Sequence, residues 1–361
     1  MAVKFSNTFI FILLAIFFGA LSGILGFIIV GAGNFKIPFV GTIDYAGNNL
    51  DNNIVIQQPR SVILEQDTQI KQIENLLLPT IINIYHTKKS TDPMLAAYNN
   101  SELLGHGFVL TADGWMVSTA KAINNSKGQY TAIGYQSKKY DLSNILVDSA
   151  SGIVFTKTNA SKLSVAKIGK SADLNIGQTV VVVSDRNQLM LVNIEKIGYD
   201  FKQSKDLVLG SDIFKKRIYL SADLDASYEG ALLVNFKGEV VGLISGSSAI
   251  PADYFNSIVN QILSKQKITR AALGVDYIDL SQVDGLIEYG DKGAYVVYDT
   301  LKGTAAYGFV KKGDLIKKVN DIELNSFVGL TEAIGRFQAN DRVELLISRG
   351  GQEMTVAVVL K

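Results

Sequence analysis

Residues 225–236, Asp-Ala-Ser-Tyr-Glu-Gly-Ala-Leu-Leu-Val-Asn-Phe, set a serine, a tyrosine and a carboxylate on a short polar stretch ahead of an apolar run. A hydroxyl in such a place becomes a nucleophile only when a neighbouring base takes its proton. The chain holds two histidines, His86 and His106, so a Ser-His-Asp mechanism has to use one of them. A lysine can replace histidine as the base when desolvation brings its pKa toward neutral. There is no cysteine, which excludes disulfides and thiolate metal ligands, and two isolated histidines do not make a metal site. No metal or other cofactor is predicted.

The elements that would position these groups can be read along the chain. At 361 residues, 47% hydrophobic and 19% charged, the sequence can bury the cores of two modest domains plus extra segments. A net charge of +1 gives no electrostatic footprint for nucleic acid. Residues 8–33 carry no charge and exceed the roughly 20 residues that cross a bilayer as a helix. No small-x-small cleavage pattern follows, so an uncleaved anchor is predicted, N-terminus inside, although Lys4 and Lys36 nearly balance across it. The next stretch is rich in Gly, Asn and Asp and reads as a stalk. Ile63, Ile70, Ile73, Leu76 and Leu77 then recur at helical spacing before Pro79. Short β-type runs follow between turn dipeptides such as Asp113-Gly114 and Lys237-Gly238, the pattern of an all-β barrel or sandwich. Residues 251–266 read as one amphipathic helix, and a smaller unit closes the chain with strands and a helix over 326–337. Lys311-Lys312 reads as a solvated turn, His86 as a strand-edge residue and His106, between two glycines, as a surface-loop residue.

Four segments in order then carry a resemblance: 77–85 (LLPTIINIY), 105–123 (GHGFVLTADGWMVSTAKAI), 248–275 (the link into the last unit) and 302–324 (KGTAAYGFVKKGDLIKKVNDIEL). Together they resemble the HtrA/Deg family over roughly residues 60–361. The resemblance implies a mainly β chain: a trypsin-like double β-barrel followed by an α+β PDZ domain, behind an N-terminal transmembrane helix. The implied layout is 1–36 anchor, 37–61 stalk, 62–268 protease-like domain and 269–361 PDZ domain. The family histidine falls on Lys121, the aspartate on Gly152 and the serine on Tyr228. A lysine at ordinary pKa holds its proton, a glycine cannot orient an imidazole, and a phenol does not fit a loop shaped for a small hydroxyl. Glu229 is expected to crowd the pocket and repel an oxyanion, and the Tyr228 ring to fill it. The chain therefore reads as a degenerate, inactive homologue of a serine endopeptidase. The rescue is a Ser227/Lys121 dyad, which needs a one-residue shift of the loop.

In PDZ domains a loop of backbone N–H groups receives a peptide's terminal carboxylate, and the following strand takes the peptide as an added strand. Leu273 and Gly274 match the core of that loop, and Val275 opens the strand. Leu330, Ala333, Ile334 and Phe337 give the facing helix an apolar side, with Gly335 expected to widen the groove. The implied partners are unfolded proteins or peptide C-termini. A homotrimer through the 62–80 helix region, or a mixed oligomer with an active relative, is implied as well. The implied location is a bacterial-type cytoplasmic membrane, with the folded domains outside it.

Overall fold

The computed structural model describes residues 14–22, 36–37, 41–42, 60–185, 188–286 and 292–361. The chain divides into two units, Met1–Arg60 and Ser61–Lys361. In the first, residues 14–22 are helical with Leu14, Ile16, Phe17, Phe18 and Leu21 exposed. The rest of the expected anchor lies outside the described residues, as does most of the stalk. Among the described residues no helix is long and apolar enough to cross a membrane.

The second unit opens on the helix Arg60–Leu77, which buries Ile73 and Leu77 but leaves Leu76 exposed. Two β-barrel sheets follow. In the first, the order is Lys139–Asp141, Tyr130–Ile133, Ile81–His86, Gly105–Val109, Trp115–Thr119, Ile153–Lys157, Ser143–Asp148. Its two edge strands are consecutive in the chain through Leu142, so the sheet curls back on itself. In the second, Glu239–Ser245, Leu232–Val234, Thr179–Asp185, Gln188–Gly198, Arg217–Leu220 and Ser248–Pro251 close into a ring. Ring closure leaves the second barrel's six strands without an unpaired edge.

The side-chain period of two explains the near-continuous apolar runs. Of four successive valines, Val180 and Val182 point into the second barrel's own cluster. Val181 and Val183 point outward, into a larger cluster with Phe108, Val117 and Phe155 of the first barrel and Ile73 and Leu77 of the helix. Both faces of these strands are therefore buried, and the seam between the barrels is apolar.

The C-terminal sheet runs Leu209–Gly210, Asp276–Asp279, Ala294–Val296, Leu315–Val319, Arg342–Arg349, Gln352–Val359. Its first strand comes from the second barrel. Two helices differ from expectation. Residues 251–266 form two short helices, Asp253–Asn256 and Val259–Lys265, because the Arg270 guanidinium and the Ser257 hydroxyl both donate to the Tyr254 carbonyl. The helix over 326–337 is one turn, Leu330–Ile334, which Gly335 ends. Gly335 does not widen a groove: a Cβ there would lie 2.7 Å from the Phe214 ring, which already fills the space.

Candidate functional site

Residues Ala226–Tyr228 form a single 3-10 turn that the Asp225 side chain caps. The Asp225 carboxylate accepts from the Ser227 amide at 2.8 Å and from the Ser227 hydroxyl at 2.5 Å. Those bonds from Ser227 hold the Asp225 carboxyl below its ordinary range, so it is a poor proton acceptor. The remaining amides of the loop are also taken. Tyr228 N–H donates to the Asp225 carbonyl and Glu229 N–H to the Ala226 carbonyl, each at 3.2 Å. Gly230 N–H donates to Ile244 at 2.8 Å and Ala231 N–H to Tyr228 at 2.9 Å. Every amide from Ser227 to Ala231 thus points at a protein acceptor. An oxyanion hole needs such donors free and aimed at the substrate.

Short contacts place the three family positions near one another. Ala120 N–H donates to the Gly152 carbonyl at 2.8 Å, which brings Lys121 beside Gly152. A Cβ on Gly246 would lie 2.9 Å from Lys121 Nζ, and Gly246 N–H donates to Glu229 Oε2 at 2.9 Å. Lys121 is exposed, whereas Tyr228 is half-buried with its ring on the second barrel's apolar cluster. Among the described residues no hydrogen bond joins Lys121 to Ser227. Cavities of about 480 and 460 Å³ open elsewhere on the unit, and neither is lined by Ser227 or Tyr228.

Two expectations are corrected here. Glu229 does not project into the pocket. It is buried, with Oε1 accepting from the Thr119 hydroxyl at 2.6 Å and Oε2 from Gly246, so it ties the first barrel to the second. His106 is not on a surface loop but buried in the strand Gly105–Val109. Its Nε2–H donates to the Ser227 carbonyl at 2.8 Å, and Nδ1 lies 2.8 Å from the Asn83 side-chain amide. Burial lowers its pKa and favours the neutral ring. His106 supports the loop from beneath, and Gly230 lets it do so: at φ +76°, a Cβ there would lie 2.0 Å from the His106 carbonyl oxygen. His86, by contrast, ends its strand exposed, as read from the sequence, and the structure adds a stack on Tyr130.

The second candidate site is the loop Leu273–Val275. Gly274 sits at φ +75° with Thr304 packed against it, a geometry that turns successive amides to one side. Asp212 Oδ1 accepts from Leu273 N–H at 2.9 Å and Gly274 N–H at 3.2 Å. Ser211 Oγ accepts from Gly274 N–H at 3.1 Å and Val275 N–H at 3.0 Å. The strand Leu209–Gly210 then runs antiparallel to Asp276–Asp279, pairing Leu209 with Tyr277 and Gly210 with Asp276. Leu209 is buried in the cluster of Leu273, Val275, Leu330, Ala333 and Ile334. All five residues singled out from the sequence, Leu273, Gly274, Val275, Leu330 and Ile334, do come together. Sequence reasoning missed their occupant, residues 209–212, because its partners lie more than 60 positions away.

No family model matches the chain. A DegP-like periplasmic serine endoprotease of Marinomonas sp. (strain MWYL1) is 25% identical over 279 residues, 72% of this chain and 57% of the relative. One of Pseudomonas savastanoi pv. phaseolicola is 28% identical over 284 residues, 72% of this chain and 56% of the relative. The chain thus spans little more than half the length of these relatives. Among solved structures, the HtrA-type protease AlgW with tripeptide aligns at a TM-score of 0.58 and 17% identity, covering 81% of this chain and 97% of that one. AlgW with decapeptide aligns at a TM-score of 0.56 and 16% identity, covering 80% and 97%. The chain is a homologue of the HtrA/Deg trypsin-like serine proteases and has their fold.

Proposed function

We propose that this chain is an HtrA/Deg-type pseudoprotease that holds unfolded or partner polypeptides without cutting them. Residues 1–36 anchor it in a membrane and 37–61 form a stalk. Residues 62–268 are a protease-like double barrel, and 269–361 a PDZ-type peptide-binding domain. The periplasmic naming of the DegP-like relatives supports an extracytoplasmic setting. The work proposed is envelope protein quality control, alone or as a homotrimer, or in a mixed oligomer that tunes an active relative.

One observation carries the reading: the amides from Ser227 to Ala231 are all committed to protein acceptors. The family's nucleophile, base and orienting positions hold Tyr228, Lys121 and Gly152 beside them. A substrate carbonyl entering this cleft would meet no donor for its developing charge and no base for a nucleophile. The competing reading, an active endopeptidase with a Ser227/Lys121 dyad, has to break the Ser227–Asp225 hydrogen bond before Ser227 can reach the lysine.

The test is incubation of the full-length chain, purified in detergent, with a fluorogenic unfolded casein, beside the variants Lys121→Ala and Ser227→Ala. The expected result is saturable binding with no cleavage by any of the three. Cleavage that both substitutions abolish would establish the dyad and overturn the proposal.

A further inference from the structure

The Leu273–Val275 amides are built to hold a carboxylate, and in this structure they hold one. It belongs to Asp212, a side chain of the second barrel. The segment carrying it copies a bound peptide in each respect that backbone recognition uses. It lies antiparallel along Asp276–Asp279 as an added strand. Ser211 N–H donates to the Val275 carbonyl at 2.9 Å, and the Gly210 carbonyl accepts from the Thr331 hydroxyl at 3.2 Å on the facing helix. Leu209 inserts between that strand and that helix.

We infer that Leu209–Asp212 is a built-in pseudo-ligand that closes the carboxylate loop and peptide groove, and that an extended polypeptide with a free C-terminal carboxylate opens them by displacing it. The inference rests on the peptide-binding reading of the C-terminal unit and adds its regulation. Three features make the closure reversible. The covering segment belongs to the 18-residue connection between the strands ending at Gly198 and starting at Arg217, so it can move without unpairing either barrel strand. Residues 202–205, a few positions before it, are solvent-exposed. Its hold consists of one carboxylate, one hydroxyl, a two-residue strand, one leucine and the Thr331 bond to the Gly210 carbonyl, of which an incoming peptide can replace the carboxylate, the strand and the apolar side chain. Because Phe214 is anchored to the first barrel, donating its amide to the Ala150 carbonyl at 2.9 Å, displacement would also be felt at the seam between the barrels. A binding-competent fraction of a few per cent raises the apparent dissociation constant by its reciprocal, so a closed groove binds roughly 10- to 100-fold more weakly than an open one.

The experiment uses a fluorescein-labelled peptide copying Lys205–Ser211 and ending in a free carboxylate, with the same peptide amidated as control. Binding is measured by fluorescence anisotropy to the full-length chain, to Asp212→Asn and to the double variant Ser211→Ala/Asp212→Ala. Thermal unfolding establishes that each variant folds, and Asp212→Asn keeps the side chain's shape should the double variant fail to fold. The expected result is weak binding by the parent chain and at least about tenfold tighter binding by the variants, lost on amidation. Equal affinity for parent and variants would overturn the closure while leaving the groove a peptide site. No binding by any of them would overturn the peptide-binding reading itself, and the inference with it.

Discussion

Two loops of this molecule commit their backbone amides to protein acceptors, but in different ways. At residues 227–231 the acceptors are almost all local: the Asp225 side chain and the carbonyls of Asp225, Ala226 and Tyr228, within three residues of their donors. At residues 273–275 they are Ser211 and Asp212, more than 60 positions away. A local turn re-forms faster than it opens and costs little chain entropy, so its amides stay committed. A tertiary contact made by one long connection can be exchanged for an equivalent contact from another chain. The cleft is closed by its own sequence, whereas the groove is closed by an occupant.

Substitutions should separate the two kinds of closure. The largest effect is expected from Gly230→Ala, which forces an unfavourable φ and drives a Cβ into the His106 carbonyl oxygen. A loss of about 3 kcal/mol or more is expected in denaturant unfolding. Glu229→Ala leaves the buried Thr119 hydroxyl and Gly246 amide without their acceptor, for an expected loss of about 2–3 kcal/mol. It should leave peptide affinity at the C-terminal groove unchanged, which would show that cleft and groove are energetically separate. Asp212→Asn keeps an acceptor near the Leu273 and Gly274 amides and should cost only about 1 kcal/mol by the same measurement. If Asp212→Asn destabilised the chain as much as Gly230→Ala, the occupant would be structural and not exchangeable.

The smallest effect concerns pH. Burial lowers the His106 pKa below its ordinary 6.5, so the unfolded chain binds this proton more readily than the folded one. Its contribution is then fully present above about pH 6.5 and declines as pH falls below that, toward the lowered folded value. His106→Gln should flatten this part of the stability–pH profile, which thermal unfolding between pH 5 and 8 would record.

The barrels were legible because their strands bury both faces, and successive apolar residues such as Val180–Val183 need no distant information to read as strand. The assignment of Lys121, Gly152 and Tyr228 to the family positions rests on the ordered segments around them. His106 was not, because its flanking glycines read as a loop. In the structure they mark close backbone approach: a Cβ on Gly105 would lie 2.7 Å from the Glu229 carbonyl oxygen, and one on Gly107 2.3 Å from that of Val117. Glycine within an apolar strand was the signal available. The split of the 251–266 helix depended on Arg270, beyond the helix, and so on tertiary structure. The packing of Leu273, Val275, Leu330 and Ile334 in one buried cluster was readable from local pattern. Their occupant was not, because a Leu-Gly-Ser-Asp stretch carries no local mark of the amides it meets.

Amide hydrogen exchange read by mass spectrometry tests the central contrast most directly, on the full-length chain with and without excess carboxylate-ended Lys205–Ser211 peptide. The account predicts faster exchange over residues 209–213 on peptide addition, continued protection over 273–278, and no change over 225–231. Faster exchange over 225–231, or none over 209–213 while the peptide is bound, would contradict it.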